Sequence, residues 1–183
     1  MDKAIPVLDV SGFLAGEQEA MDTFPRALRG AFETYGFVTL EGHGLDEALI
    51  GSTYNAAQRF FGLSDEKKCA ASMSGIGGNF GYTPFGQEHA KDDARADLKE
   101  FYHFAQVRYD QPECPDVPEF VSEGRSLYST LEGLAARLLE AVAISLDLER
   151  HYFQAHVDGG NSILRVLHYP PACLLYTSDA ADE

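Results

Sequence analysis

The stretch SILRVLHYPP, residues 162–171, decides how the chain is read. Ile163, Leu164, Val166 and Leu167 are strand-forming residues, and they run into a tyrosine and two prolines, the pattern of a strand that halts at a turn. Side chains alternate across a strand, so Arg165 and Tyr169, four apart, share a face. An arginine turned into a core is costly without a carboxylate partner, which favours Arg165 at the exposed sheet edge. Twelve residues remain after Pro171, and none is a His or an Arg. They do not continue any fold to which such a strand would belong.

Upstream, IPVLDV (Ile5–Val10) reads as a first strand. Ala20, Phe24, Ala27, Leu28, Ala31 and Phe32 recur every three or four residues, which predicts an amphipathic helix over 17–35. Gly36 supplies its stop. FVTLEGHG predicts a strand over 37–40 and a glycine turn, in which His43 would hydrogen-bond across the turn. A second helix is predicted over 46–61, and Ser64 as the cap of a short helix, DEKKCA. SGIGGNFGYTPFGQEH (74–89) reads as a glycine-rich loop, and DLKEFYHFAQV (97–107) as a strand. After the proline-rich DQPECPDVP, a long helix is predicted over 117–146. Its buried stripe is Phe120, Leu127, Leu131, Leu134, Leu138, Leu139, Val142 and Leu146. A shorter helical piece is predicted over 148–155.

Composition narrows the partners. With 183 residues the chain can bury a core of its own. Its net charge of −15 argues against nucleic acid or an anionic membrane, both of which call for basic patches. The opening MDKAIPVLDV lacks a positive stretch followed by an apolar core, and no apolar run reaches the ~20 residues that span a bilayer. Cys69, Cys114 and Cys173 are widely separated, which suggests neither a disulfide framework nor a zinc site. Together these features lead us to expect a cytoplasmic protein.

Five pieces in order resemble one family: IPVLDVSGF, LRGAFETYGFVTLEGHGL, AQRFFGLSDEKK, GYTPFGQEHAKDDARADLKEFYHF and LRVLHYPP. They are similar to the isopenicillin N synthase-like, iron(II)- and 2-oxoglutarate-dependent oxygenases. The resemblance implies an α+β fold. A helical N-terminal region (1–116) precedes a long helix and the first strands of an incomplete double-stranded β-helix, or jelly roll (117–172). It also implies Fe(II) held by two His and one carboxylate, with positions left open for 2-oxoglutarate and O₂. The substrate would be a small metabolite, oxidised as the keto acid is decarboxylated; the ethylene- and succinate-forming branch is one reading.

The chain departs from the family pattern after Tyr169–Pro171. There the family carries its His-x-Asp ligand pair, a distal His and a basic residue that grips 2-oxoglutarate. No iron ligand is therefore assigned in this chain. CLLYTSDAADE (173–183) matches the in-frame translation of a transposase-type sequencing adapter. We read it as an artefactual tail on a truncated gene, so this piece is expected to be inactive while the full-length protein is an oxygenase. An oxidase of the same fold that needs no 2-oxoglutarate, or a non-catalytic interaction module, are the alternatives.

By the same resemblance, Tyr169 is the candidate 2-oxoglutarate contact: a phenol donates one hydrogen bond while its ring shields the site. Its other reading is a core tyrosine at a strand end. Tyr82, Phe85 and Glu88 lie in a segment that borders the pocket mouth in relatives, which makes them candidate substrate contacts. Leu167 stands where some plant relatives carry a polar residue that helps to hold 2-oxoglutarate. HVD (156–158) is a literal His-x-Asp but precedes the strand, and it reads as a solvated loop. Lys99 and Glu100 belong to a D-x-K-E pattern whose role we take as structural.

Overall fold

A computed structural model describes residues 4–73, 80–87, 98–106 and 112–170. In chain order the elements are β1 (Val7–Asp9), α1 (Ser11–Ala15), α2 (Gln18–Tyr35), β2 (Thr39–Glu41), α3 (Glu47–Phe61) and α4 (Asp65–Ala70). Then come β3 (Gly81–Thr83), β4 (Glu100–Ala105), α5 (Pro118–Ser145), α6 (Gln154–Val157) and β5 (Ile163–His168). β1 and β2 form a parallel pair, and β3-β4-β5 form an antiparallel sheet. Helices with a few short strands are what an incomplete jelly roll is expected to give. The chain divides into two compact units, Met1–Ser52 with Arg125–Ser162, and Thr53–Gly124 with Ile163–Glu183.

In the first unit, Val10, Phe13, Phe24, Leu28 and Ala141 are buried together. The Phe13 and Phe24 rings stand 5.2 Å apart, and Arg137 lies over Phe13. Helix α2 ends as its sequence requires. Gly36 takes a left-handed φ of 80°, and its N–H donates to Phe32 O at 3.0 Å. Pro25 is buried inside that helix. On α5, Ala141 and Ala143 are fully buried whereas Leu146 is exposed. The predicted stripe thus overruns the helix end: Ser145 is its last residue, and Leu146 enters the turn beyond it. Glu140 accepts hydrogen bonds from Arg150 Nε at 2.8 Å and from Arg137.

In the second unit, aromatic residues fill one face of the three-stranded sheet. Phe60 stacks on Phe120 at 4.5 Å and meets the edges of Tyr102 and Tyr82 at 5.4 and 5.7 Å. Phe104 packs on Phe120 and covers Gly124, where a Cβ would overlap its ring. The segment read as a loop contains a strand, since Gly81–Thr83 pair with Phe101–His103. Gly81 makes this possible with a φ of +73° and a position where a Cβ would lie 2.6 Å from Ala71 O. Two further limits differ from expectation. The predicted strand 37–40 is observed at Thr39–Glu41, and the helical piece over 148–155 is observed at Gln154–Val157.

Candidate functional site on the sheet of the second unit

Alternation along β4 and β5 gives the sheet two chemically different faces. Glu100, Tyr102 and Phe104 point to the face that Phe60 and Phe120 cover, together with Tyr82 and His168. Phe101 and His103 point the other way, opposite Leu167 and Arg165 in the cross-strand register.

The covered face holds a polar cluster. Glu100 is 1% exposed, and a carboxylate so deeply buried must be met by hydrogen-bond donors. Lys68 Nζ donates to Glu100 Oε2 at 2.8 Å, and the Tyr82 hydroxyl donates to the same oxygen at 2.5 Å. His168 Nδ1 lies 2.7 Å from Oε1. Lys68 is also paired with Asp65 at 3.1 Å. Burial works to lower the Lys68 pKa, but the hydrogen bonds to Glu100 and Asp65 outweigh it and raise it. Burial, then the bond to Glu100, pushes the Tyr82 phenol well up. The cluster therefore holds a charged ammonium and a neutral phenol on one carboxylate. Its chemistry is that of a lock between α4, β3, β4 and β5.

The opposite face is more open along β5. Arg165 Nε donates to His103 Nε2 at 2.6 Å, and its guanidinium lies 4.5 Å above the Phe101 ring. His103 is 1% exposed, whereas Leu167 and Tyr169 are 44% and 63% exposed. Arg165 is exposed, as its sequence predicts, although its sheet partner is a histidine.

The predicted site residues are thus divided. Tyr169 lies just past β5 and is exposed rather than held in a core. Tyr82 is buried and its hydroxyl is bonded to Glu100. Phe85 is partly exposed, with Lys68 Nζ 5.9 Å from its ring. Glu88 lies outside the described residues, as does the 173–183 segment. His156 and Asp158 fall at the end of α6 rather than in a loop: His156 stacks on Tyr152, and Asp158 accepts from Gln154. His43 Nδ1 accepts from Leu45 N–H at 3.1 Å, the turn bond its sequence predicts. Among the described residues no group of three His, Cys, Asp or Glu could hold a metal ion, so this part of the chain does not fit iron(II). Sequence reasoning missed Lys68 and Glu100 as partners. The signal was present in β4, where alternation puts Glu100 on the face of Tyr102 and Phe104.

Residues 5–121 match the N-terminal family model of the non-haem dioxygenase in morphine synthesis, and the chain belongs to that dioxygenase family. Among relatives, the 2-oxoglutarate-Fe(II) type oxidoreductase hxnY of Emericella nidulans is 28% identical across 91% of this chain and 53% of its own length. The 2-oxoglutarate-dependent dioxygenase ecdK of Aspergillus rugulosus is 27% identical, with 91% and 56% covered. Among solved structures, a protein of the 2OG-Fe(II) oxygenase family from Caulobacter crescentus is 36% identical with a TM-score of 0.78, over 92% of this chain and 57% of its own. A full-length Neurospora crassa protein in complex with alpha-KG is 26% identical with a TM-score of 0.80, over 98% and 58%. The chain spans a little over half the length of each of these proteins. Among the described residues, no helix is long and apolar enough to cross a membrane.

Proposed function

We propose that the whole protein is an Fe(II)- and 2-oxoglutarate-dependent oxygenase that oxidises a small metabolite with O₂. In this reading residues 1–116 supply the helical N-terminal region, which includes β4, and β5, paired to it, belongs to the start of the jelly roll over 117–172. Iron(II) supplies the oxidising chemistry and is held by residues outside the described ones. The observation that carries the proposal is the two-faced sheet. Its covered face is sealed by aromatic rings, and its other face leaves Leu167 and Tyr169 exposed at the end of β5. Tyr169 would offer its hydroxyl to a carboxylate of 2-oxoglutarate, and Phe85 would border the substrate. Tyr82 would contribute indirectly by holding Glu100, and through it β5.

The test is 2-oxoglutarate turnover. The whole protein, loaded with Fe(II) and oxygenated, is expected to release succinate and CO₂ from 2-oxoglutarate, and Tyr169→Phe to raise the KM for 2-oxoglutarate. Turnover of substrate with no need for 2-oxoglutarate would replace the proposal with an oxidase of the same fold. Absence of any redox chemistry together with absence of Fe(II) binding would leave an interaction module. The 183-residue chain by itself is expected to bind no stoichiometric Fe(II).

A further inference from the structure

We infer that His168 is a positioning residue: pinned on the covered face of the sheet, it fixes the backbone from which Tyr169 presents its hydroxyl. That the hydroxyl then meets 2-oxoglutarate rests on the oxygenase proposal; the fixing of Tyr169 by His168 does not. Side chains alternate along a strand, so a residue tied down on one face commits the next to the opposite face. Three contacts tie His168 down. Its backbone is in register with Glu100. Its Nδ1 lies 2.7 Å from Glu100 Oε1, and since a carboxylate oxygen accepts, Nδ1 carries the hydrogen and donates. Its ring stacks on Phe61, with centroids 5.2 Å apart and planes 21° apart.

Neither support is loose. Phe61 is buried and meets Phe60 and Phe120 edge-on. Glu100 Oε2 accepts from both Lys68 Nζ and the Tyr82 hydroxyl, which keeps the carboxylate from turning. Oε1 therefore has one aim, and His168 is at the end of it. On the other side of Tyr169 stands Pro170, whose ring confines the residue before it to extended backbone. Tyr169 is thus clamped between a pinned neighbour and a stiff one, although it is itself 63% exposed. A hydrogen-bond donor that is exposed yet fixed at its backbone has less freedom to lose when a ligand arrives, which is how preorganisation strengthens binding.

The test has two arms. In the isotope-labelled 183-residue chain, amide nitrogen relaxation gives an order parameter for each backbone N–H. Tyr169 should be as rigid as β4, about 0.85, and should fall below about 0.6 in His168→Phe, which keeps a ring beside Phe61 and loses the donor. The β3 and β4 amides should hold their values. His168→Asn, whose amide N–H can stand in for Nδ1–H, should restore Tyr169. A parent chain already mobile at Tyr169 overturns the inference with no variant needed. So does a His168→Phe chain in which Tyr169 stays rigid or in which β3 and β4 loosen with it, and so does His168→Asn as mobile as His168→Phe. In the whole protein loaded with Fe(II), His168→Phe should raise the KM for 2-oxoglutarate about fivefold, the worth of one hydrogen bond, and leave kcat little changed. His168→Phe combined with Tyr169→Phe should show the KM of Tyr169→Phe alone, because a residue that acts through the hydroxyl has no effect once the hydroxyl is gone. Additive effects on KM overturn the inference. A whole protein that turns over no 2-oxoglutarate, beside a Tyr169 whose order follows His168, removes the oxygenase reading and leaves the positioning role standing.

Discussion

Glu100 and His168 are cross-strand partners in β4 and β5, and their side chains meet at 2.7 Å on the covered face of the sheet. The backbone register and the side-chain bond thus specify the same alignment. A slip of one residue would carry Glu100 to the opposite face and strand Lys68 in the aromatic core.

Removing the carboxylate should be strongly destabilising for the same reason. Glu100→Ala leaves Lys68 buried without its main counter-charge, and we expect a loss of about 3–5 kcal/mol in a denaturant midpoint measurement. Lys68→Met combined with Glu100→Gln should cost clearly less than the two single changes added together, because each single change strands the other partner. Additive costs would show that the two side chains do not act as a pair.

The alkaline limb of stability should report Lys68. Its pKa is raised in the folded chain, so the stabilisation is fully present below the ordinary lysine value and is lost as pH rises through the higher folded value. Lys68→Met should therefore flatten the fall in thermal midpoint at high pH. An unchanged alkaline limb would contradict this assignment.

Glu140 gives the opposite sign. Burial acts to raise its pKa, but hydrogen bonds and charge from Arg150 and Arg137 prevail and lower it. Its contribution is present above the ordinary glutamate range and is lost as pH falls through the lowered folded value. Acid titration of Glu140→Gln, followed by circular dichroism, should show a shallower loss of structure below that range than the parent chain shows.

Gly124 is fixed by contact rather than by backbone conformation. A Cβ there would overlap the Phe104 ring. Although alanine is the better helix former, Gly124→Ala should destabilise the chain by about 1–3 kcal/mol, the usual scale for overpacking. Gly133, on the same helix, has no heavy atom within 4 Å of where a Cβ would stand, so Gly133→Ala should be neutral or stabilising. Urea denaturation of the two variants side by side checks both signs.

The longer helices α2, α3 and α5 were legible from their periods and β5 from its residue types, whereas α1 was not anticipated and α6 was displaced. The α2 stripe ended at a glycine that could take a positive φ, and the strand-forming residues of SILRVLHY, halted at the prolines, carried β5 to within a residue of its observed limits. β3 was not legible, since a glycine that serves a close backbone approach looks the same in sequence as one that serves a loop. The polar cluster was half legible. Glu100 could be placed inward by alternation, but Lys68 sits in DEKKCA, a run of charges whose natural reading is a solvated helix. Only the arrival of β4 beside it makes that lysine a buried one. Tyr169, the proposed 2-oxoglutarate contact, was found by resemblance, whereas the Arg165–His103–Phe101 contacts join residues up to 64 apart, 62 for the hydrogen-bonded pair, and no local pattern announces them.

The Glu100 lock also dictates an order of events during synthesis. His168 leaves the ribosome 68 residues after Glu100, long after Lys68 and Tyr82 have emerged. Until β5 emerges the His168 contact cannot form, and of the three donors in the folded cluster at most Lys68 and Tyr82 are available to the carboxylate. Chaperones that shield unfinished β-structure would find their window here, and pausing of translation between codons 100 and 168 would lengthen it.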